Sequence, residues 1–257
     1  MRVRPTPVIA LAIFAAYIVL VSAIWFLLDV DYSTIGLSTE SAVEGIVIPV
    51  GAGAVLLAAA ATWLGWWRPA LSEARRSEPG WAVAVPVLLV VLVVMGLLSV
   101  DFGADVGSLL PLIALGTLLV GFSEEMLTRG LGLVGFRGGV SERMAWFWTS
   151  LLFALLHGIN VVFGASLGST VQQITFAFVV GSALYVTRRV LGTLLVPMLL
   201  HAAWDFGTIG TEATDGTPGL LGGLLLYPLA LVTFFAVWKV TSADRAPAPV
   251  TTEPTTA

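Results

Sequence analysis

Two adjacent glutamates and an arginine, Glu124, Glu125 and Arg129, sit in the run GFSEEMLTR within an apolar stretch from Leu109 to Leu133. A charge at that depth costs on the order of 2.5–3.5 kcal/mol per residue on insertion scales, so it is retained for a use. The chain has two histidines, His157 and His201; both fall in apolar stretches, and Asp205 follows His201 by four residues. A desolvated carboxylate near imidazoles can take a proton from water, which is the first step of a hydrolysis. These residue types point to a hydrolytic site inside a membrane.

Each residue also has a plainer reading. Glu125 precedes Arg129 by one helical turn, in the order that favours an ion pair, so the two account for each other and brace the helix. Glu124 points about 100° away and has no partner on its own helix. A purely helix-locking role, with both glutamates on Arg129, is the alternative. His157 sits in FALLHG, where a lone histidine also serves as an interhelical hydrogen bond. His201 opens HAAWD, and Asp205, one turn on, can orient the imidazole as the third member of a triad does. A buried His–Asp bond is the plain alternative there. At 1.5 Å per residue, Glu124, His157 and His201 all come out about 10–20 Å in from the helix ends that carry basic residues. Their shared depth favours one site over separate bonds.

Positioning such residues takes a membrane. The 257-residue chain is 58% hydrophobic and 11% charged, more apolar surface than a soluble domain of that size can hide, so the bilayer is its solvent. Eight stretches are long enough to cross as helices: Val8–Leu28, Val43–Leu64, Trp81–Leu98, Leu109–Thr128, Met144–Phe163, Ser169–Thr187, Thr193–Thr208 and Leu220–Trp238. Barrel strands would be about half as long and alternate in polarity. The expected fold is all-α: a polytopic membrane helix bundle of about eight transmembrane helices.

All twelve Lys and Arg residues lie before the first span or after the second, fourth, sixth and eighth. The opposite loops hold only acids: Asp29, Asp31, Glu40, Asp101, Asp105, Glu212 and Asp215. The positive-inside rule makes the basic side, with both termini, cytoplasmic. Residues 1–241 read as a single transmembrane domain, 211–219 as an external turn, and 242–257, rich in Pro, Thr and Ala, as a disordered cytoplasmic tail. Residues 1–28 can alternatively be read as a cleaved signal with Val21-Ser22-Ala23 at the cleavage site. The apolar run exceeds the usual h-region of roughly 7–15 residues, which favours a retained span. With no cysteine there is no disulfide framework, thiolate nucleophile or Cys-based zinc site. A net charge of −4 and no basic stripe argue against nucleic acid as a partner.

Taken together, the motifs resemble the CPBP family, which includes the type II CAAX prenyl endopeptidases and the Abi or bacteriocin-immunity proteins. The family's EExxxR is present as Glu124 to Arg129, its FxxxH as Phe153 to His157, and its HxxxN/D as His201 to Asp205. Each motif alone is weak, but the ordered set on separate spans is specific, and it covers about residues 109–208. The resemblance implies an intramembrane endopeptidase in which Glu124 and His157 activate a water while His201 and Asp205 stabilise the oxyanion and hold the substrate. Glu125 and Arg129 would support the site. Many CAAX-branch members have Asn at the position of Asp205, and an ionised Asp cannot donate to an oxyanion, so Asp205 is expected mainly to orient and charge His201. Glu124, His157 and His201 also make a candidate His₂Glu zinc site with water in the fourth position, and Asp205 could add an oxygen ligand. There is no HExxH helix, and glutamate-activated water without a divalent metal is the slightly favoured alternative.

The leading reading is cleavage of a peptide or membrane-protein substrate near the cytoplasmic side of the lipid bilayer. The Abi-like features suggest a bacterial plasma membrane, where a prenylated substrate is less expected than a peptide precursor. Two non-proteolytic alternatives remain: an immunity or scaffold protein, and a proton-coupled carrier, for which paired repeats and broken helices are lacking. Gln172, Gln173 and Tyr185 read as interhelical hydrogen bonds, Gly181 as a close-packing position, and Asn160 as a residue near the site or the outer interface. Trp63, Trp66, Trp67, Trp81 and Trp146 read as an aromatic belt.

Overall fold

The computed structural model describes residues 1–78, 80–217 and 220–242. It is built of eight long helices: α1 Pro7–Leu27, α2 Thr39–Leu64, α3 Gly80–Leu98, α4 Leu109–Arg137, α5 Glu142–Phe163, α6 Leu167–Leu191, α7 Leu195–Ala213 and α8 Leu220–Ser242. Among the described residues no strand forms beyond one isolated bridge between Ser72 and Thr193. Except for Ser242, the expected tail lies outside the described residues, as do residues 218–219 of the expected external turn.

The chain is a multi-pass integral membrane protein with an all-α bundle. Seven of the helices are long and apolar enough to cross a bilayer. The remaining expected span, the seventh, is also helical, but as α7 it carries His201, Asp205 and Glu212, so apolarity alone does not mark it. A helix with that many polar groups must turn them toward the protein rather than the lipid.

Four spans run on past their expected ends, α7 to Ala213 and α8 to Ser242 among them, and in the other two this buries arginines. α4 continues to Arg137, and α6 to Leu191, so Arg129, Arg188 and Arg189 lie within helices and are fully buried instead of standing in loops. They remain helical because acids compensate them. Arg188 Nε is 3.0 Å from Glu73 Oε2, Arg189 Nη1 is 2.9 Å from Glu142 Oε1, and Arg137 Nη2 bridges Glu73 and Glu142 at 3.1 and 2.6 Å. Tyr185 donates to Glu142 at 2.5 Å, the interhelical bond expected of it. Burial pushes the Glu73 carboxyl up, but Arg137 and Arg188 beside it hold it below the ordinary carboxylate value.

Close helix crossings occur where glycine removes the side chain. A Cβ on Gly207 of α7 would sit 2.9 Å from the Gly96 carbonyl carbon of α3. A Cβ on Gly121 of α4 would come within 2.9 Å of the Ala202 Cβ and would strike the Met198 carbonyl. α7 is thus wedged between α3 and α4 by small residues, the way membrane helices approach without a hydrophobic driving force. Gly181 packs as expected, with its added Cβ 2.7 Å from Phe153.

The aromatic-belt reading holds for only some of the tryptophans. Trp63 and Trp81 are exposed, but Trp66 is fully buried and donates to the Val3 carbonyl at 2.8 Å. Trp146 donates to Ser182 Oγ at 3.1 Å and so also works as a packing residue. An indole that finds a protein acceptor has no need of the interface.

Candidate active site

α4 leaves regular helical geometry directly after Glu125. Met126–Gly132 form a π-helical segment, whose extra residue per turn re-aims the side chains on either side of it. Glu125 and Arg129 meet at 2.7 Å, both without solvent exposure. Thr128 Oγ1 accepts from Arg129 Nη1 at 2.5 Å, and the guanidinium lies over the Phe153 ring, 4.0 Å from its centroid. Arg129 therefore holds two helices together: α4 through Glu125, and α5 through the aromatic face.

Glu125 does more than neutralise Arg129. Its Oε1 also lies 3.0 Å from His201 Nδ1 on α7. The other ring nitrogen, Nε2, is 3.4 Å from Asp205 Oδ2 and 3.8 Å from Glu124 Oε2. Both ring nitrogens thus face carboxylate oxygens, which only accept, and His201 donates on both sides when charged. The i,i+4 contact with Asp205 is present as expected, but the closer partner comes from another helix. No spacing in the sequence reveals that contact.

His157 stands where α5 tightens from α-helix into the 3-10 turn His157–Phe163. Its Nδ1 is 3.0 Å from the Phe153 carbonyl. A carbonyl accepts only, so Nδ1 carries the proton and Nε2 of the neutral ring keeps its lone pair. The Phe153 ring stands edge-on to both imidazoles, with centroids 5.3 Å from His157 and 5.4 Å from His201. The FxxxH motif names Phe153, yet its place between Arg129 and both histidines is visible only in three dimensions.

Glu124 differs from its neighbour. Its side chain keeps 12% exposure where Glu125 has none. Oε2 of each glutamate finds no hydrogen-bond partner among the described residues, but only Glu124 lines a cavity. Glu124, His157, His201 and Asp205 line one cavity of about 470 Å³, a volume within the range of small-molecule and peptide sites. All four candidate residues are brought together.

The cavity also has a polar wall that the motifs do not contain. Asn160 donates to Gln173 at 2.9 Å, and Gln173 donates to the Tyr32 hydroxyl at 3.0 Å. Gln173 makes the interhelical bond expected of it and lines the cavity as well, together with Asn160, Gln172 and Tyr32. Tyr17 of α1, packed against Gly53, contributes another wall residue with no sequence signal beyond its hydrophobic span.

Among the described residues, no group of three or more His, Asp or Glu is arranged to hold a metal ion. One nitrogen of each histidine is already bonded to protein. That leaves Nε2 of His157 open, while Nε2 of His201 faces Asp205 and Glu124.

Residues 106–207 match the family model for type II CAAX prenyl endopeptidase Rce1-like proteins. That match covers less than half of the chain and supports its resemblance to the CPBP family. The match supports a CAAX prenyl endopeptidase-like protease working within the bilayer. No curated protein matches the chain.

Proposed function

We propose that the protein hydrolyses a peptide bond inside the membrane, with Glu124 as the general base. Glu124 takes a proton from a water in the cavity, assisted by the lone pair on His157 Nε2. The hydroxide adds to the peptide carbonyl carbon, and the carbonyl oxygen becomes the oxyanion. His201, held from behind by Glu125, donates from Nε2 to that oxyanion. On collapse the C–N bond breaks, and the proton held by Glu124 passes to the leaving amine. A preorganised donor of this kind is worth about 2.7–4 kcal/mol. The substrate is a peptide or membrane-protein segment, since the walls of the cavity at Ile18, Val21, Ile46, Val50 and Val120 are apolar.

One observation carries this reading: Glu124 lines the cavity and keeps 12% of its side chain exposed, while the acid next to it has no exposure and binds Arg129 and His201 through Oε1. Helix locking explains Glu125 and Arg129 and leaves Glu124 without a role. Glu124→Gln at matched expression tests it. Cleavage is lost and the folded protein remains in the membrane; full proteolysis by the variant contradicts the assignment.

A further inference from the structure

The direction of each helix orders the cavity wall between the two membrane faces. α1, α3, α5 and α7 start at the end with basic residues, and α2, α4, α6 and α8 start at the acid-only end. Each end is tied off by its own contacts. At the basic end, Glu73 N donates to the Gly192 carbonyl at 3.1 Å and Leu194 N to the Leu71 carbonyl at 2.9 Å. At the acid end, Asp101 N donates to Thr214 Oγ1 at 3.1 Å.

The cavity runs from Glu124 toward the acid end. Its wall includes Trp25 late in α1, Tyr32 in the following loop, Gly45 early in α2 and Gln172 early in α6. No lining residue comes from 126–152 or 181–200. The basic end is instead filled by the buried ion pairs of Glu73, Arg137, Glu142 and Arg188. Exposure changes in the same direction. Phe153 and His201 at the floor are buried, while Ser169 and Gln172 at the start of α6 and Thr208 late in α7 are exposed. These exposed lining residues lie on the start of α6 and the end of α7. Asp31 and Glu212 are exposed at that same end, where the loops hold no basic residue.

We infer that the substrate reaches Glu124 through the gap between the start of α6 and the end of α7, from the acid-lined extracytoplasmic face. The substrate class is then a membrane-anchored polypeptide that presents an apolar segment with basic residues on that face. This rests on the hydrolytic reading of Glu124 for the word substrate, while the side of entry rests on the cavity and on the basic residues that mark the opposite end as cytoplasmic. It reverses the expectation of cleavage near the cytoplasmic side. That expectation measured depth from the basic helix ends; the longer α4 places Glu124 thirteen residues from Arg137, about 20 Å. Acidic loops concentrate a basic segment at the mouth within a screening length of about 8 Å.

The cysteine-free chain allows a direct test. Single replacements Ser169→Cys, Gln172→Cys and, at the basic end, Ala74→Cys are exposed to a membrane-impermeant maleimide-polyethylene glycol on intact cells, then after permeabilisation. The two mouth cysteines gain the mass shift in intact cells, and Ala74→Cys gains it only after permeabilisation. The reverse pattern overturns the proposal. In a second arm, a single-span reporter with a lysine-flanked apolar segment is inserted in either orientation. Cleavage occurs when the segment is extracytoplasmic, and cleavage of the cytoplasmic form alone overturns the proposal. If neither orientation is cleaved, in membranes or in detergent, the hydrolytic reading falls, and the labelling arm still decides the side of entry.

Discussion

Glu125 Oε1 lies 3.0 Å from His201 Nδ1 and 2.7 Å from Arg129 Nη2, so one buried oxygen fixes an imidazole on α7 and a guanidinium on α4. The sequence suggests only the second contact. The first makes Glu125 the residue that sets the angle of His201 in the cavity.

Glu125→Gln separates these roles. The amide keeps the size of the side chain but removes the charge facing Arg129, and breaking a buried pair costs about 3–5 kcal/mol. Yield and thermal midpoint fall, and the surviving folded fraction loses activity because His201 is no longer held as a donor. Arg129→Lys lowers yield at least as much as activity, because lysine lacks the planar fork over Phe153. Matched-yield cleavage assays and detergent melting curves check both. An Arg129→Lys variant with normal yield and no activity would contradict a bracing role.

Phe153→Leu is expected to reduce activity more than stability. The ring contributes about 0.5–2 kcal/mol through Arg129, but it also touches both imidazoles. Two catalytic orientations loosen together, so kcat falls while binding, read through KM, changes little. The comparison variant is Gly181→Ala, whose Cβ meets the same ring at 2.7 Å. A kcat loss there with α6 still folded shows that the ring's position is what matters.

Asp205 and Glu124 both approach His201 Nε2, at 3.4 and 3.8 Å. Asp205→Asn keeps a polar group of the same shape and can itself donate, so activity stays within about tenfold of the parent. Asp205→Ala lowers kcat further, by up to about 10²–10³-fold if its only effect is the loss of oxyanion stabilisation through His201. Prolonged chelation leaves activity intact, as water activation by Glu124 without a metal requires. Loss on chelation with recovery on adding zinc would contradict that route.

Glu73 gives the protein an acid-sensitive clamp. Arg137 and Arg188 hold its folded-state carboxyl below the ordinary value against the opposing effect of burial. Its contribution is therefore present above the ordinary carboxylate range and is lost as pH falls through the depressed folded value. The thermal midpoint in detergent declines as pH is lowered from neutral through that window. Glu73→Gln lowers the midpoint at neutral pH and flattens the decline, and a variant with the parent's acid profile would contradict the clamp.

The parts of the fold and site that could be read from sequence are those governed by short-range rules. Eight apolar runs gave eight helices, and Glu125 to Arg129 and His201 to Asp205 were found because a helix brings residues four apart together. Helix ends were misjudged where a distant partner changes the cost of burying a charge. Arg188 can stay in α6 because Glu73 and the carbonyls of Pro69, Ala70 and Arg129, all far away in the chain, meet it. The same limit hid the Glu125–His201 bond, the place of Phe153, and the Tyr32–Gln173–Asn160 wall, all of which join separate helices. Trp66 was misread because an indole near a span end suits an interface and a buried acceptor equally well.

The most direct measurement is cleavage of a reporter by Glu124→Gln, compared with the parent and with Glu125→Gln at equal amounts of folded protein. With the general base removed, Glu124→Gln has no detectable turnover, while its yield and thermal midpoint match the parent because no bond of Glu124 Oε2 is lost. Parent-like turnover by Glu124→Gln would contradict the account.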